Sequence, residues 1–395
     1  MGRALSLAPP EAPLRILFAA NVPRRREGGV AAIIHNLAGE LQSRGDSVTC
    51  LFYEDLLDPQ KVSGRFIDVI FSFRLSRYIA KHRDEFDVVD LHAPAGFAYG
   101  LRRRWSRSHG YPPYVMTLHG LEERRVRVMS RENQRGRAWH FAWKNRMWHG
   151  LYVMPRFRCS IRTADGAHAI ARDTWNLLQL KYDLLPECAA YIPHGVAPQF
   201  FCARSYDSRQ PLKLLYVGTW LDQRGIYYLR EALERLVSQL PGITMTFAGC
   251  GCPDEAMRDF FGPRLASTIR VLPVAASGKM PEVFASYDVF LFPSLMEGMP
   301  NVVMEAMASG MPVITTETCG MPDVVEDGFN GLLIPPADAQ AIEDAVLKLA
   351  ASPELRKQLG EAAQQSMRRY TWERSARLLE SLFRRVIARE SQISA

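Results

Sequence analysis

The chain has 395 residues, of which 47% are hydrophobic and 23% are charged, a composition typical of a globular enzyme and unlike that of a disordered or fibrous protein. This length favours two domains. No apolar run approaches the roughly 20 residues needed to span a bilayer, and the first residues lack a signal-peptide core. We therefore expect a cytoplasmic protein. Its seven cysteines are scattered and odd in number, which argues against a disulfide framework.

Positive charge is concentrated in one segment of the first half. Residues 1–200 contain 29 Lys and Arg against 19 Asp and Glu. The segment from Arg124 to Arg162 contains 11 Lys and Arg and one acidic residue, Glu132. Four apolar residues recur there at the spacing of one helix face: Trp139, Trp143, Met147 and Leu151. The pattern fits a helix that covers a sheet, or an interfacial segment on an anionic membrane. Nucleic-acid binding would rest on this segment alone, and the acidic residues elsewhere argue against it.

The first 200 residues alternate strands with helices, as in a doubly wound α/β domain. A buried strand is predicted at 14–20, then a loop ending in Gly28 and Gly29, then a helix at 30–42. Glycine at a helix start lets the backbone approach a ligand closely, although a Gly-Gly pair is also common as a simple turn. Further strands are predicted at 47–52, 87–91, 114–118, 166–170 and 190–193. His92 and His119 end or follow two of them, where parallel sheets place ligand sites.

A polar, proline-ended stretch at 202–211 predicts a linker to a second domain. Strands are predicted there at 212–218, 243–247, 289–292 and 313–315, and helices at 226–240, 280–286, 339–351, 353–369 and 372–390. We therefore divide the chain into domains at 1–201 and 202–371, with a closing helix at 372–395. Cys250 and Cys252 lie in a glycine turn of this second domain, and the chain nearby lacks the other two ligands that zinc would need.

The stretch from Tyr287 to Asp327 carries the strongest functional pattern. It predicts a buried strand, a loop, a short helix that begins near Pro300 and ends at Gly310, and another strand. The free N–H groups at the helix start and the positive end of its dipole predict a phosphate site. Glu297 and Glu305 lie eight positions apart on either side of that start. One carboxylate could hold a sugar while the other reaches hydroxyls beyond the phosphates, although a plain βαβ unit with surface glutamates would share the spacing.

The combined pattern is specific to one family. It consists of a strand, FPS, Glu-Gly-Met-Pro-Asn, a helix and Gly-Met-Pro-Val, and it resembles the retaining family 4 glycosyltransferases of the GT-B fold. The resemblance implies two doubly wound Rossmann-like domains that face a cleft, with the closing helix returning to the first domain. It implies that the second domain binds a UDP- or GDP-sugar and the first a hydroxyl acceptor. The expected reaction is sugar transfer with retention, in cell-surface polysaccharide or glycolipid synthesis.

The resemblance also implies roles for single residues. His119, Arg224 and Glu297 are the expected catalytic residues, and Glu305 is expected on the ribose hydroxyls. Donor binding is further expected from Gly28, Gly29, Thr219, Gly249, Gly251, Gly298, Met299, Pro300, Asn301 and Val302, together with Arg224. The chain departs from the family at Thr219, where a cation is usual, and at His194, where asparagine is usual. An Asp-x-Asp metal motif does not accompany these residues, so we expect no cofactor and no metal.

Two other roles remain open at this point. A GT-B nucleotide-sugar epimerase would share the fold but lack the Glu-Gly-Met-Pro-Asn…Glu pattern. A nucleotide-sugar-binding protein without transferase activity would fit the loss of a cation at Thr219. If the acceptor is lipid-linked, the basic segment Arg124 to Arg162 would hold the first domain on the anionic inner face of the membrane.

Overall fold

The computed structural model describes residues 12–24, 29–58, 64, 66–106, 110–138, 143–182, 184, 186–206, 211–273 and 279–394. Gly28 and Trp139, two residues singled out from the sequence, lie outside these ranges. Within them, no helix combines the length and the apolar character required to cross a bilayer.

The first domain is built on a parallel sheet of six described strands in the order β2-β1-β3-β4-β5-β6. These strands are Arg15–Ala19 (β1), Ser47–Leu51 (β2), Val88–His92 (β3), Tyr114–Leu118 (β4), Gly166–Ala169 (β5) and Ala189–Tyr191 (β6). The helices are Gly29–Ser43 (α1), Tyr53–Leu56 (α2), Ile67–Lys81 (α3), Phe97–Trp105 (α4), Glu122–Gln134 (α5), Trp143–Trp148 (α6), Met154–Thr163 (α7) and Arg172–Tyr182 (α8). The central strands are buried along their whole length, because helices cover both faces of a parallel sheet.

The second domain repeats this plan with the strand order β12-β11-β10-β7-β8-β9, again all parallel. Its strands are Lys213–Val217 (β7), Thr244–Ala248 (β8), Ile269–Leu272 (β9), Val289–Phe292 (β10), Val313–Thr316 (β11) and Leu332–Ile334 (β12). Its helices are Ile226–Gln239 (α9), Asp254–Phe261 (α10), Met280–Ala285 (α11), Asn301–Ala308 (α12), Met321–Val324 (α13), Ala339–Ala351 (α14) and Pro353–Met367 (α15). The two sheets confirm the predicted α/β fold of GT-B type.

The last helix, Trp372–Ser394 (α16), packs on the first domain. Its apolar face joins a core formed by α1 and one face of the first sheet, and the rings of Phe383 and Phe18 lie 6.3 Å apart. Arg103 of α4 also forms an ion pair with Glu390 at 2.6 Å. Both ends of the described chain therefore contribute to the same domain core.

The structure refines two predicted helices. Pro300 is the N-cap of α12, so this helix begins at Asn301, one position after the proline. The helix predicted from the apolar spacing of the basic segment is present from Trp143, where α6 runs through a π-helical turn, His149–Val153, into α7. Helix α5 is separate and ends before Gly136, whose φ is 73°.

Candidate active site

The carboxyl ends of both sheets face a shared cleft, and a cavity of about 250 Å³ lies in it. The first domain contributes His119, Gly120 and Arg125 to the cavity wall, and the second contributes Glu297 and Gly298. These residues lie close together because each follows, or lies near, the carboxyl end of a parallel strand, where loops are free to carry ligand-binding groups.

Gly298 lies at a close contact between the two domains. A Cβ atom there would overlap the carbonyl oxygen of His119 and press on the side chain of Ile170. On its other side, the carbonyl of Gly298 fills the space that a Cβ on Gly320 would need. Glycine at 298 therefore permits the contact between the domains, which is a steric role and not a backbone-conformation role.

Glu297 and Arg224 form an ion pair in the cleft. Both side chains are mostly buried, with 22% and 17% of their surface exposed. The Arg224 guanidinium also lies over the ring of Phe292, 5.2 Å from its centroid. The two charges cancel locally, so this pair adds little net positive potential to the site.

The start of α12 lies next in the chain, with Met299 and Pro300 before it and Asn301 and Val302 as its first residues. Glu305, one turn further on, has no side-chain hydrogen-bond or ion partner in the described part of the chain. Burial raises the pKa of Glu305 to about 7. A buried carboxyl group without a protein partner is a strong candidate for ligand binding.

His119 is paired with His92, whose role, in the site or only structural, the sequence pattern leaves open. The His92 Nδ1 atom lies 2.5 Å from His119 Nε2, and the two rings stack with their centroids 4.8 Å apart. Burial lowers the pKa of His92 to about 3 and that of His119 well below the usual histidine range, so both rings are neutral. His92 Nε2 is buried without a partner among the described residues. Because an orphaned buried N–H is rarer than an orphaned acceptor, the His92 proton belongs on Nδ1, which leaves His119 Nδ1 as a donor for a ligand.

His194 contacts the start of α12, which sequence reasoning missed. Its Nδ1 atom lies 2.8 Å from Oδ1 of Asn301, and its ring stacks on Trp372 at 5.8 Å. Burial lowers the pKa of His194 to about 4, so the neutral ring donates to the amide oxygen. The signal available in the sequence was that histidine replaces the asparagine usual at position 194 in the family.

The remaining predicted donor residues lie on three loops at strand ends. Gly29 opens α1 with φ of 66°, while Gly249 and Gly251 follow β8 with φ of 67° and 65°. Thr219 follows β7 and is exposed. A hydrogen bond of 3.0 Å from the Trp220 N–H to the Cys250 carbonyl joins the last two loops.

Helix α5 of the first domain also contacts α9 of the second. The buried carboxylate of Glu132 accepts a 2.8 Å hydrogen bond from the Tyr228 hydroxyl, and Arg135 donates to the same hydroxyl at 2.8 Å. Arg137 pairs with Glu231 and lies over the Tyr228 ring at 4.2 Å. Several cations of the basic segment are therefore used to join the domains.

The aromatic stripe of that segment is exposed and does not cover the sheet. Trp143, Met147 and Leu151 are 63%, 51% and 76% exposed. Phe66, just before α3, is 58% exposed, and its ring lies 5.4 Å from that of Tyr152 in the basic segment. The reading of this stripe as a core-facing helix was wrong, because its apolar residues point away from the domain core.

Two family models match consecutive parts of the chain. The model described as Glycosyltransferase Family 4 matches residues 27–200, and the model described as Glycosyl transferases group 1 matches residues 211–352. The first match covers β2 to β6 of the first sheet, and the second covers all six described strands of the second sheet.

The chain is also similar to single proteins, in sequence to a curated relative and in fold to solved structures. The amylovoran biosynthesis glycosyltransferase AmsK of Erwinia amylovora is 30% identical over 164 residues, which are 40% of this chain and 40% of AmsK. Sucrose-phosphate synthase from Thermosynechococcus elongatus superimposes with a TM-score of 0.75 at 19% identity, covering 95% of this chain and 99% of that one. HepE of Anabaena in complex with UDP-glucose gives a TM-score of 0.66 at 15% identity, covering 93% and 98%.

Proposed function

We infer that this chain, which belongs to the family 4 glycosyltransferases of GT-B fold, transfers a sugar from a nucleotide diphosphate to a hydroxyl acceptor with retention at the anomeric carbon. The observation that carries this proposal is the cleft cavity, which His119 and Glu297 line. Arg224 is paired with Glu297, and α12, which carries the unpartnered carboxyl group of Glu305, begins four residues after Glu297. A hexose on UDP or GDP is the proposed donor, and HepE, whose structure holds UDP-glucose, supports a uridine nucleotide.

In the proposed reaction the bond between the anomeric carbon and the diphosphate breaks, and the acceptor oxygen bonds on the same face. The acceptor proton passes to the departing diphosphate. Arg224, the N–H group of Val302 and the positive end of the α12 dipole stabilise the negative charge that develops there. The Asn301 N–H is already bonded to the carbonyl of Met299 at 3.0 Å. Glu297 faces the positive charge that develops on the sugar, and the Nδ1–H of His119 donates to a sugar oxygen.

A panel of UDP- and GDP-sugars tests the proposal directly. We expect one of them to raise the melting temperature, because a ligand that binds only the folded state stabilises it. The purified protein should also hydrolyse that sugar slowly, and a product anomer that keeps the donor configuration would support retention. If no nucleotide sugar raises the melting temperature, the donor assignment is wrong. If one binds without turnover, a binding protein is the better account.

The proposed transfer uses no metal ion: protein groups, among them Arg224 and the start of α12, supply the counter-charge for the diphosphate. Donor hydrolysis should therefore survive EDTA. Complete loss of activity with EDTA, restored by Mg²⁺ or Mn²⁺, would contradict this part of the proposal.

The affinity for the donor should depend on pH through Glu305. In the free protein burial raises the pKa of Glu305 to about 7, while hydrogen bonds from ribose hydroxyls favour the charged form and lower it in the complex. The dissociation constant of UDP-glucose should therefore rise roughly tenfold between pH 8 and pH 6, since one pKa unit corresponds to about tenfold in affinity. Calorimetric titration of Glu305→Gln should give a weaker but flat profile; a slope as steep as that of the wild type would remove Glu305 from the site.

We propose further that the acceptor is lipid-linked and that the first domain docks on an anionic membrane. The exposed stripe of α6 and the exposed side chains of Phe66 and Phe73 support an interfacial contact. Five cations beside it are exposed and lack a carboxylate partner among the described residues: Arg127, Arg131, Lys144, Arg146 and Arg162. Each contributes about 1 kcal/mol near an anionic surface, so four or five suffice for reversible binding.

Co-sedimentation with phosphatidylglycerol vesicles tests this docking. Replacing Arg127, Arg131, Lys144 and Arg146 by serine should release the protein from the vesicles and leave donor hydrolysis unchanged. The matched control removes four exposed cations of the second domain, Arg264, Arg270, Lys348 and Lys357, and should still sediment. If the wild type does not bind these vesicles at low salt, the basic segment is better explained by a soluble anionic acceptor.

A further inference from the structure

The proposed diphosphate site is short of positive charge. A nucleotide diphosphate sugar carries two negative charges on its phosphates, yet Arg224 is already paired with the carboxylate of Glu297. Thr219, on the neighbouring loop, offers a hydroxyl and no charge. The start of α12 contributes N–H groups and only about half a positive charge. A further cation is needed in the cleft if the phosphates are to be neutralised.

Arg125 of α5 is suitably placed to supply that charge. It lines the cleft cavity together with Gln223, Glu297 and Gly298. It also lines an adjoining cavity with Leu221, Asp222 and Gln223, on the loop that begins near Thr219. Arg125 therefore lies between the two loops of the second domain that carry the proposed phosphate ligands. Among the described residues that line these two cavities, it is the only lysine or arginine.

The side chain of Arg125 is available to a ligand. It is 46% exposed, and its nearest carboxylate, Glu122, lies 3.6 Å away. That carboxylate is itself engaged by Nδ1 of His149 at 2.8 Å. The preceding residue differs: Arg124 is held by Asp173 and by Sγ of Cys319 at 3.1 Å. Of the two neighbouring arginines, Arg125 is held by the longer and more exposed ion pair, and it is the one that can turn from Glu122 towards the phosphates.

We propose that Arg125 is the second cation on the donor diphosphate, in place of the basic residue that the second domain lacks at position 219. This assignment rests on the proposed donor-binding function. Because Arg125 belongs to the first domain, a donor bound to α12 and Arg125 contacts both domains at once.

Calorimetric titrations with UDP and with GDP test the assignment. For the nucleotide that binds, Arg125→Ala should weaken affinity by about 10- to 100-fold, the range expected when a charge-assisted hydrogen bond is lost. Arg131→Ala, an exposed arginine on the same helix, should bind as the wild type does. The double variant Arg125→Ala with Thr219→Arg should recover most of the lost affinity. The nucleoside without phosphates should bind the wild type and Arg125→Ala equally.

Each outcome has a separate meaning. If Arg125→Ala binds the nucleotide as tightly as the wild type, Arg125 does not contact the phosphates and the inference fails while the donor site stands. An equal loss of affinity for the nucleoside would point to a disturbed fold and would also overturn it. If the wild type binds neither UDP nor GDP, the proposed function fails first, and this inference with it.

Discussion

Replacing Gly298 by alanine is expected to lower kcat/KM for donor hydrolysis by about 100-fold while the melting temperature stays nearly unchanged. The added methyl group would overlap the carbonyl oxygen of His119, which is backbone and cannot rotate away. The cheapest relief is a small separation of the domains, and each domain keeps its own core. A displacement of about 1 Å between the groups that hold the donor is sufficient for a loss of this size.

The matched control for this variant is Gly39→Ala. Gly39 lies in α1, and a Cβ atom there would meet no other atom within 4 Å. It should therefore keep wild-type activity. If Gly298→Ala also keeps full activity, the close contact between Gly298 and His119 does not belong to the catalytic arrangement. A fall in melting temperature as large as the fall in activity would instead indicate general unfolding.

The strands were predictable because parallel strands buried on both faces appear in the sequence as continuous apolar runs. Residues 114–118 and 289–292 were predicted with the bounds that the structure has. Two strands were missed for the opposite reason: β9 contains Arg270, and β12 has only three residues. Helix α3 was missed because Ile70 and Phe73 put large apolar side chains on its exposed face, which obscures the helical pattern.

Only those residues of the candidate site that follow a predicted strand could be predicted from the sequence. His119 and Glu297 were proposed because they follow buried strands, and the structure brings them to one cavity. The pairing of Glu297 with Arg224 could not be predicted, since it joins loops 73 positions apart and depends on how β7 and β10 pair. The contact between His194 and Asn301 depends on how the two domains meet, for which the sequence pattern carries no signal.

Replacing Glu297 by glutamine should lower kcat by about 100-fold without weakening the binding of UDP. In the proposed reaction the carboxylate faces the sugar and stabilises positive charge that develops only in the transition state, so its loss should act on kcat and not on KM. The amide also releases Arg224 from its ion pair, which makes the guanidinium more available to phosphates. Steady-state donor hydrolysis and calorimetric titration with UDP measure the two effects separately.

A fall in kcat without weaker UDP binding distinguishes a catalytic carboxylate from a structural one. If Glu297 served only to hold Arg224 in place, glutamine would loosen the loop, weaken UDP binding and raise KM while kcat stayed the same. Glu317→Gln, which alters an exposed carboxylate just after β11, controls for the loss of one negative charge and should leave both quantities unchanged. Wild-type kcat in Glu297→Gln would remove Glu297 from the reaction and leave Arg224 and the start of α12 as the groups on which the chemistry depends.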